Sequence, residues 1–274
     1  MTNELCDILI GDCRDTLKDL PDASVQTCIT SPPYFGLRDY GHSDQIGLES
    51  TLDEYVQNLI AVTDEIWRVL KDDGTFWLNI GDSYSSGSRV TQKNDSLRTE
   101  QVNTVRPPVM DDVKPKDLIG IPWKLAFALR DSGWYLRSDV IWQKTAVMPE
   151  SVKDRPTKAH EYIFLFSKSL HYQYDGEAIQ EPSAEGMRNR RTVWTMNPAN
   201  YQEGHFAVFP DKLPRLCILA STMPGDTVID PFAGSGTVGK VAIELGRKAI
   251  LCELNPNYRQ LIENRVRTTK GLAL

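Results

Sequence analysis

The sequence predicts an α/β protein built on a doubly wound, mostly parallel sheet of seven strands. Three observations support this fold class. The length of 274 residues suits one large domain, short apolar segments alternate with amphipathic ones, and 41% hydrophobic and 25% charged residues are typical of a globular chain. A chain of this length buries a sizeable core without crosslinks, so we expect packing alone to hold the fold.

Seven segments have the short apolar or alternating pattern of β-strands. They span residues 6–10, 25–30, 75–80, 138–143, 162–167, 227–230 and 249–253. Helical periodicity falls between them, over residues 52–70, 118–131, 213–221, 238–245 and 256–267. Strands that alternate with helices form βαβ units, and such units pair their strands in parallel.

Two polar segments interrupt this alternation. Residues 83–117 contain few large apolar side chains, and residues 171–204 combine aromatic residues with a basic cluster. Loops this long in a compact domain are usually either functional or disordered. We therefore expect both segments to be insertions into a single domain of residues 1–274.

Composition argues against several classes of protein. The five cysteines are scattered and form no C-x-x-C pair, so we expect small buried side chains in a reducing environment. No stretch approaches the roughly 18 apolar residues of a membrane span, and the first residues lack the charged start of a signal peptide. The expectation is a soluble, cytoplasmic protein with no membrane partner.

Two further features concern metals and nucleic acid. His160 and His205 are far apart and lack the spacing of a metal-binding helix, so no metal site is expected. The net charge of −6 argues against a protein that coats nucleic acid nonspecifically. It leaves room for a local basic cleft, because the distribution of charge matters more than its sum.

The segment VIDPFAGSGTVGK, residues 228–240, has the pattern of a ligand-binding strand, turn and helix. The strand ends at Asp230, Gly234 and Gly236 allow a ligand close to the backbone, and the next helix offers free N–H groups. Glu253 follows at the end of the next strand, where a carboxylate accepts ribose hydroxyls. The spacing suits a nicotinamide dinucleotide or S-adenosylmethionine equally, and a plain turn is the remaining alternative.

A second motif, TSPPYFG at residues 30–36, favours S-adenosylmethionine. It follows the strand at 25–30, at the edge where α/β proteins bind ligands. Pro32 and Pro33 fix a rigid, extended turn, which aims the Ser31 hydroxyl and the Pro32 carbonyl at one point. Tyr34 adds a flat aromatic face. Acceptors, a fixed backbone and a stacking surface suit a flipped-out base with a free amino group; alone, the motif would also suit an ordinary turn.

These two motifs resemble those of the DNA methyltransferases that methylate amino groups, at N4 of cytosine or N6 of adenine. Ser31-Pro32-Pro33-Tyr34 matches the catalytic motif of that family, and residues 230–237, DPFAGSGT, match its cofactor motif. The catalytic motif comes first, which resembles the circularly permuted β-type order. The resemblance covers nearly the whole chain and implies a Rossmann-like methyltransferase fold with polar insertions for target recognition.

The resemblance also implies roles for individual residues. The expected cofactor site comprises Asp12, Asp230, Phe232, Ala233, Gly234, Ser235, Gly236, Thr237 and Glu253, with His205 and Phe206 in a segment that closes over the methionine end. Residues 160–169 resemble a structural strand of the catalytic half. That half is expected at about 1–170 with the insertion at 83–117, and the cofactor-binding half at about 205–274.

Target recognition is expected in residues 171–204. The residues predicted to contact DNA phosphates are Lys144, Arg155, Arg188, Arg190 and Arg191, with a solvated surface as the alternative for each. Trp194 is expected to be a packing residue. The expected partners are double-stranded DNA, a second copy of the chain in a homodimer, and a cognate restriction endonuclease.

The resemblance implies a mechanism without a metal or a covalent intermediate. Ser31 and the Pro32 carbonyl would accept hydrogens from the amino group, which localises the lone pair of its nitrogen. If the Tyr34 ring acts only by stacking, phenylalanine should replace it well. Ser31 resembles the cytosine-N4 branch, whereas the adenine-N6 branch more often carries Asp or Asn there. An adenine-N6 enzyme, an RNA or protein methyltransferase, a nicotinamide-dependent oxidoreductase and a catalytically silent DNA-binding module stay open as alternatives.

Overall fold

The structure is a computed structural model that describes residues 5–85, 103–104, 113–147, 149–198 and 209–267, with the backbone alone at 103–104. Helices cover both faces of one large sheet. The strands are β1 (Cys6–Ile10), β2 (Val25–Thr30), β3 (Arg38–Asp39), β4 (Leu70–Ile80), β5 (Asn103–Thr104), β6 (Tyr135–Gln143), β7 (His160–Ser167), β8 (Glu181–Ser183), β9 (Gly186–Arg188), β10 (Val193–Thr195), β11 (Thr227–Asp230) and β12 (Lys248–Glu253).

The large sheet has the order β1-β12-β11-β2-β4-β7-β6-β10. Among its described strands, β7 alone runs antiparallel to its neighbours β4 and β6, and the remaining pairs are parallel. Two small antiparallel pairs, β3 with β5 and β8 with β9, lie outside it. The predicted doubly wound, mostly parallel sheet is confirmed.

The predicted count of seven strands was one too low. All seven predicted strands belong to the sheet, and β10 adds an eighth at its edge beside β6. β10 is three residues long and only Trp194 in it is buried. Three residues are too few to show an alternating pattern, so this strand depends on pairing with β6 rather than on its own sequence.

The described part of the chain contains six helices, of which five lie between strands and the sixth follows the last strand. They are α1 (Cys13–Thr16), α2 (Leu52–Val69), α3 (Ile121–Asp131), α4 (Lys212–Ser221), α5 (Thr237–Glu244) and α6 (Arg259–Arg267), with 3₁₀ turns at Leu17–Asp19, Glu177–Ile179 and Pro256–Tyr258. Thr51 and Glu54 form a reciprocal capping box at the start of α2. α3 begins later than predicted because Gly120, in the left-handed region at φ 80°, precedes its first turn.

The core consists of two layers, one on each face of the sheet. α2 and α3 pack on one face through residues such as Tyr55, Ile66 and Leu125, and α4, α5 and α6 pack on the other. Gly239 allows α5 its close approach to β12, because a Cβ there would lie 2.5 Å from a methyl carbon of Leu251. The five cysteines are buried and unpaired, as predicted.

The strand order brings the two sequence motifs together. β11 pairs in parallel with β2, with Ile229 opposite Cys28. The segments that follow these strands, 231–237 and 31–34, therefore emerge side by side at one edge of the sheet. Within the part of the chain that the structure describes, no helix combines the length and apolar character needed to cross a membrane.

Candidate active site

A cavity of about 250 Å³ opens at the carboxyl ends of the parallel strands. Among the predicted site residues, those that line it are Asp12, Ser31, Pro32, Pro33, Tyr34, Lys144, Asp230, Phe232, Ala233, Gly234, Ser235, Thr237 and Glu253. Gly236 lies just outside it and precedes α5. His205 and Phe206 lie outside the described residues, which reach the cavity at Pro198 and Phe209 on either side.

Asp230 is the buried carboxylate at the end of β11. It accepts hydrogen bonds from the Thr30 hydroxyl over 2.6 Å and from the backbone N–H of Phe232 over 3.0 Å. Burial raises its pKa from the ordinary 3.8 to about 7, although both hydrogen bonds oppose that shift. The carboxylate thus shapes the turn that follows it.

Glu253 occupies the matching position at the end of β12. Its carboxylate accepts hydrogen bonds from the backbone N–H groups of Gly234, over 2.8 Å, and Asn255, over 2.9 Å. Burial raises its pKa from 4.5 to about 7. A carboxylate held by two backbone donors keeps further lone pairs for hydroxyl groups of a ligand in the cavity.

The turn 231–236 leaves space beside its backbone. Gly234 has a φ of 52°, and a Cβ there would meet nothing within 4 Å. Gly236 has a φ of 79°, and a Cβ there would lie 3.0 Å from Ile262. The first glycine therefore keeps the cavity open, whereas the second allows the turn to pack on α6. The hydroxyl oxygen of Thr237 is buried and has no hydrogen-bond partner among the described residues.

Asp12 closes the far end of the cavity beyond β1. Its side chain caps α1 by accepting a hydrogen bond from the backbone N–H of Arg14 over 2.8 Å, and it pairs with the Arg14 guanidinium. Burial alone would raise its pKa, but these interactions with Arg14 bring the Asp12 pKa below its ordinary value. Asp12 is therefore an ionised acceptor at this end.

The Ser31–Tyr34 segment forms the opposite wall. The Tyr55 hydroxyl, on α2, donates to the Pro33 carbonyl over 2.8 Å and anchors the Pro-Pro turn to the helix layer. The Ser31 hydroxyl lies 3.4 Å from the Tyr34 hydroxyl oxygen. The Tyr34 ring lies against Gly81, where a Cβ would come within 2.8 Å of the ring carbon Cε2.

Sequence reasoning missed a polar cluster around Glu161. The Tyr34 hydroxyl donates to this carboxylate over 2.6 Å and the Asn79 side-chain amide over 3.1 Å. Lys144 forms an ion pair with it and lies 4.6 Å from the centre of the Trp142 ring. Since β7 is antiparallel to β4, its first residues lie beside the last residues of β4. A charged residue near the start of an otherwise apolar strand was the available signal.

A loop over residues 37–46 also lines the cavity and was not predicted as part of the site. It is held by the Gln45 side chain, which donates to the Arg38 carbonyl over 2.9 Å, and by Arg14, which donates to the Asp44 carbonyl over 3.0 Å. Its sequence has no recognised motif, so only the fold brings it to the site.

The residues predicted to contact DNA have partners within the chain. Lys144 faces the cavity, and Arg155 pairs with Glu150 and lies 3.6 Å from the centre of the Tyr84 ring. Glu181 forms ion pairs with three arginines, Arg188, Arg190 and Arg191.

The three arginines differ in exposure. Arg190 is largely enclosed and donates to the carbonyls of Ile179 and Gln180, whereas the side chain of Arg191 is 71% exposed and that of Arg188 39%. Arg190 therefore supports the local fold, and the other two remain accessible. Trp194 is 4% exposed and packs against Trp77, as predicted for a packing residue.

The described residues contain no group of three His, Cys, Asp or Glu side chains placed to hold a metal ion. Besides donors such as Lys144 and Asn79, the cavity offers two sets of polar groups. One end offers carboxylates and a glycine turn, and the other a serine, a proline carbonyl and a tyrosine. This arrangement suits a ligand with hydroxyl and cationic groups beside a second, planar ligand that carries an amino group.

Comparisons with known proteins give the family of the chain. A model of the family described as DNA methylase (N6_N4_Mtase) matches residues 25–264. The type II methyltransferase M.SmaI of Serratia marcescens is 50% identical over 264 residues, covering 95% of this chain and 90% of the relative. The type II methyltransferase M.Cfr9I of Citrobacter freundii is 52% identical over 257 residues, covering 93% and 86%.

Solved structures share the fold. The cytosine-N4-specific PvuII DNA methyltransferase aligns with a TM-score of 0.73 at 22% identity, over 100% of this chain and 89% of that one. The Thermus thermophilus protein TTHA0409, complexed with S-adenosyl-L-methionine, aligns with a TM-score of 0.69 at 26% identity, over 97% and 95%.

Proposed function

The chain belongs to the DNA methylase family of N6- and N4-acting methyltransferases, and we propose that it methylates N4 of cytosine in double-stranded DNA. It is a DNA methyltransferase of the type II class, and S-adenosyl-L-methionine is its cofactor. The observation that carries the proposal is the convergence of residues 31–34 and 231–237 on one cavity. A nicotinamide-dependent oxidoreductase would have no use for the first of these segments.

The cofactor half of the cavity fits S-adenosylmethionine. The open space beside Gly234, and the Thr237 hydroxyl that has no partner among the described residues, are features that a bound ligand would use. We assign the ribose hydroxyls to Glu253, the adenine end to Asp12 and the methionine end to the turn after Asp230. His205 and Phe206 belong to a segment that would cover that end. When bound, the cofactor supplies an electrophilic methyl group on a sulfonium sulfur.

The catalytic half would hold the base. Ser31 and the Pro32 carbonyl are assigned as acceptors for the two hydrogens of an amino group, and the Tyr34 ring as the surface on which the base stacks. The lone pair of an exocyclic amino nitrogen is delocalised into the ring, so bending its hydrogens out of the plane makes it more nucleophilic. Fixed acceptors achieve this without reorganising during the reaction, and no metal or covalent adduct is needed.

Cytosine is the base we favour, because of Ser31. A serine hydroxyl is short and uncharged, which suits a pyrimidine lying against the Pro-Pro turn, and the motif resembles the N4-cytosine branch. Adenine N6 is the alternative, since the same acceptors can hold its amino group. Carbon-5 methylation needs a cysteine nucleophile, and the five buried cysteines lie in apolar surroundings that raise their pKa values.

We assign target recognition to residues 171–204, with the insertion 83–117 in support, between a catalytic half of about 1–170 and a cofactor-binding half of about 205–274. Arg188 and Arg191 are the candidate phosphate contacts, because both remain accessible. A homodimer and a cognate restriction endonuclease are the proposed partners besides DNA, and the cytoplasm is the proposed location.

Transfer of a labelled methyl group tests the activity. The purified chain, incubated with labelled S-adenosylmethionine and unmethylated double-stranded DNA, should label the DNA and leave total RNA unlabelled. Ser31→Ala should bind the cofactor normally and label the DNA far more slowly. Labelled RNA with unlabelled DNA would instead support an RNA methyltransferase, and cofactor binding without transfer to any DNA would refute the proposal.

A further inference from the structure

Three side chains in the catalytic half of the cavity form a chain of hydrogen bonds. The Ser31 hydroxyl donates to the Tyr34 hydroxyl oxygen over 3.4 Å, and the Tyr34 hydroxyl donates to the Glu161 carboxylate over 2.6 Å. Ser31 and Tyr34 belong to the motif after β2, whereas Glu161 comes from β7, 127 positions further along the chain. The fold thus couples the motif to a residue outside it.

Glu161 is held in place by partners of its own. The Asn79 side-chain amide donates to the same carboxylate oxygen over 3.1 Å, and Lys144 forms an ion pair with the other oxygen. Its side chain is 14% exposed. Amide and ammonium groups only donate in these contacts, so the carboxylate is an acceptor for all three neighbours and has little freedom to move.

The direction of each hydrogen bond follows from this arrangement. A tyrosine hydroxyl has one hydrogen, and in Tyr34 that hydrogen is committed to Glu161. Burial, with the charge and hydrogen bond of Glu161, raises the Tyr34 pKa well above its ordinary value, which keeps the hydroxyl protonated. The Tyr34 oxygen can therefore only accept from Ser31.

This hydrogen bond decides what the Ser31 hydroxyl can offer to other groups. A free serine hydroxyl rotates and can present either its hydrogen or its lone pairs to a neighbour. With its hydrogen directed at Tyr34, the Ser31 oxygen has only lone pairs left for other partners. An acceptor is what an amino group requires, whereas a hydroxyl hydrogen pointing at the nitrogen would engage the very lone pair that attacks the methyl group.

We propose that Glu161 is a positioning residue for methyl transfer, which acts through the Tyr34 hydroxyl to orient the Ser31 hydroxyl as an acceptor for the amino group of the target base. This inference rests on the proposed function of the site. The Tyr34 hydroxyl then orients Ser31, in addition to the stacking role of the Tyr34 ring. Phenylalanine is therefore not an equivalent residue at position 34.

Single-turnover methylation of unmethylated double-stranded DNA, with enzyme and cofactor in excess, tests the inference. The variants are Tyr34→Phe, Glu161→Ala, which leaves no acceptor for the Tyr34 hydroxyl, their double variant, Ser31→Ala and Ser31→Ala with Tyr34→Phe. Tyr34→Phe keeps the ring and should slow transfer about tenfold, as expected for one oriented hydrogen bond that acts on the reacting group. Dissociation constants for cofactor and DNA should stay within about twofold of the wild type, so the loss appears in the rate of transfer.

The double variants distinguish orientation from simple packing. Glu161→Ala with Tyr34→Phe should be no slower than Glu161→Ala alone, because each change removes the hydrogen bond between residues 34 and 161. Tyr34→Phe should add nothing once Ser31 is alanine. The matched controls are Tyr135→Phe, at an exposed tyrosine at the far end of β6, and Glu244→Ala, at a half-buried carboxylate paired with Arg215 outside the cavity. Both should transfer at the wild-type rate.

Two results would overturn the inference. One is a Tyr34→Phe variant with the wild-type transfer rate, and the other is a set of losses that multiply in the double variants, as independent effects do. The wild-type protein separates these outcomes from a failure of the proposed function. If the wild type transfers no methyl group to DNA, the function is wrong, whereas an active wild type with either result refutes only the role of Glu161.

Discussion

The Thr30 hydroxyl donates a hydrogen bond to the Asp230 carboxylate over 2.6 Å, joining residues 200 positions apart. Thr30 ends β2 immediately before the Ser31–Tyr34 segment, and Asp230 ends β11 immediately before the glycine turn. Both residues are 2% exposed, so the bond is shielded from water. It fixes the two halves of the cavity relative to each other, which methyl transfer requires because the reacting atoms must be held close together and in line.

The stability of the cofactor-free protein should fall as pH rises through neutrality. The pKa values of Asp230 and Glu253 are each raised by burial to about 7. Between their ordinary values and about pH 7 the folded state holds more protons than the unfolded one, so stability present at low pH is lost as pH rises. Asp230→Asn, which is neutral at every pH, should reduce this fall. Urea unfolding between about pH 5 and about pH 8 measures the free energy of unfolding as a function of pH. The same dependence on pH in the wild type and in Asp230→Asn would contradict the raised pKa of Asp230.

Gly234→Asp should abolish binding of S-adenosylmethionine and leave the protein folded. The added side chain meets no protein atom within 4 Å of its Cβ and enters the space assigned to the cofactor. Gly225→Asp is the matched control, since Gly225 also has a positive φ, of 89°, with nothing within 4 Å, and lies outside the cavity. Both changes should cost on the order of 1 kcal/mol of stability. Calorimetric titration should show cofactor binding by the control alone; normal affinity in Gly234→Asp would mean the cavity is misassigned.

Gly81→Ala should slow methyl transfer on the order of 10- to 100-fold while cofactor affinity is kept. A Cβ at this position would lie 2.8 Å from a carbon of the Tyr34 ring. The ring must move, and with it the surface on which the base is expected to stack. Transfer rates, with cofactor affinity measured in parallel, check this. Wild-type transfer by Gly81→Ala would show that the position of the Tyr34 ring does not matter.

Replacing Arg188 and Arg191 together by alanine should weaken DNA binding. The slope of the logarithm of the binding constant against the logarithm of the salt concentration should fall in magnitude by about one for each phosphate that is no longer bound. The same change at Arg190 should lower stability instead, by about 1–3 kcal/mol, because its guanidinium donates to two backbone carbonyls. Binding isotherms at several salt concentrations, beside urea unfolding, distinguish the two effects. Unchanged DNA affinity and site choice in the first variant would remove residues 171–204 as the recognition segment.

Local sequence was sufficient for the parts of the fold that depend on continuous patterns. The strands at 6–10, 25–30 and 227–230 have the predicted bounds, because each is an apolar run closed by polar or turn residues. The shared edge of the two motifs was also predictable, since parallel strands end on the same side. β10 was not, because three residues carry no periodicity and its pairing with β6 decides its structure.

The catalytic half of the site was also only partly predictable from local sequence. Ser31 and Tyr34 stand in a motif, whereas Glu161 is the second residue of a strand whose pattern is dominated by apolar residues. Its role depends on the antiparallel direction of β7, which sets it beside Asn79 at the end of β4. Direction and neighbourhood in a sheet are properties of the whole fold. For the same reason the loop 37–46 could not be assigned to the cavity beforehand.

Nucleoside mass spectrometry of DNA methylated by the purified protein identifies the base that is modified. The DNA is prepared without prior methylation, treated with the wild type and S-adenosylmethionine, and digested to nucleosides, with the Ser31→Ala variant treated in parallel. We predict N4-methyldeoxycytidine in the wild-type sample and a greatly reduced amount with the variant. N6-methyldeoxyadenosine without N4-methyldeoxycytidine would contradict the choice of cytosine, and the absence of any methylated nucleoside would contradict the account as a whole.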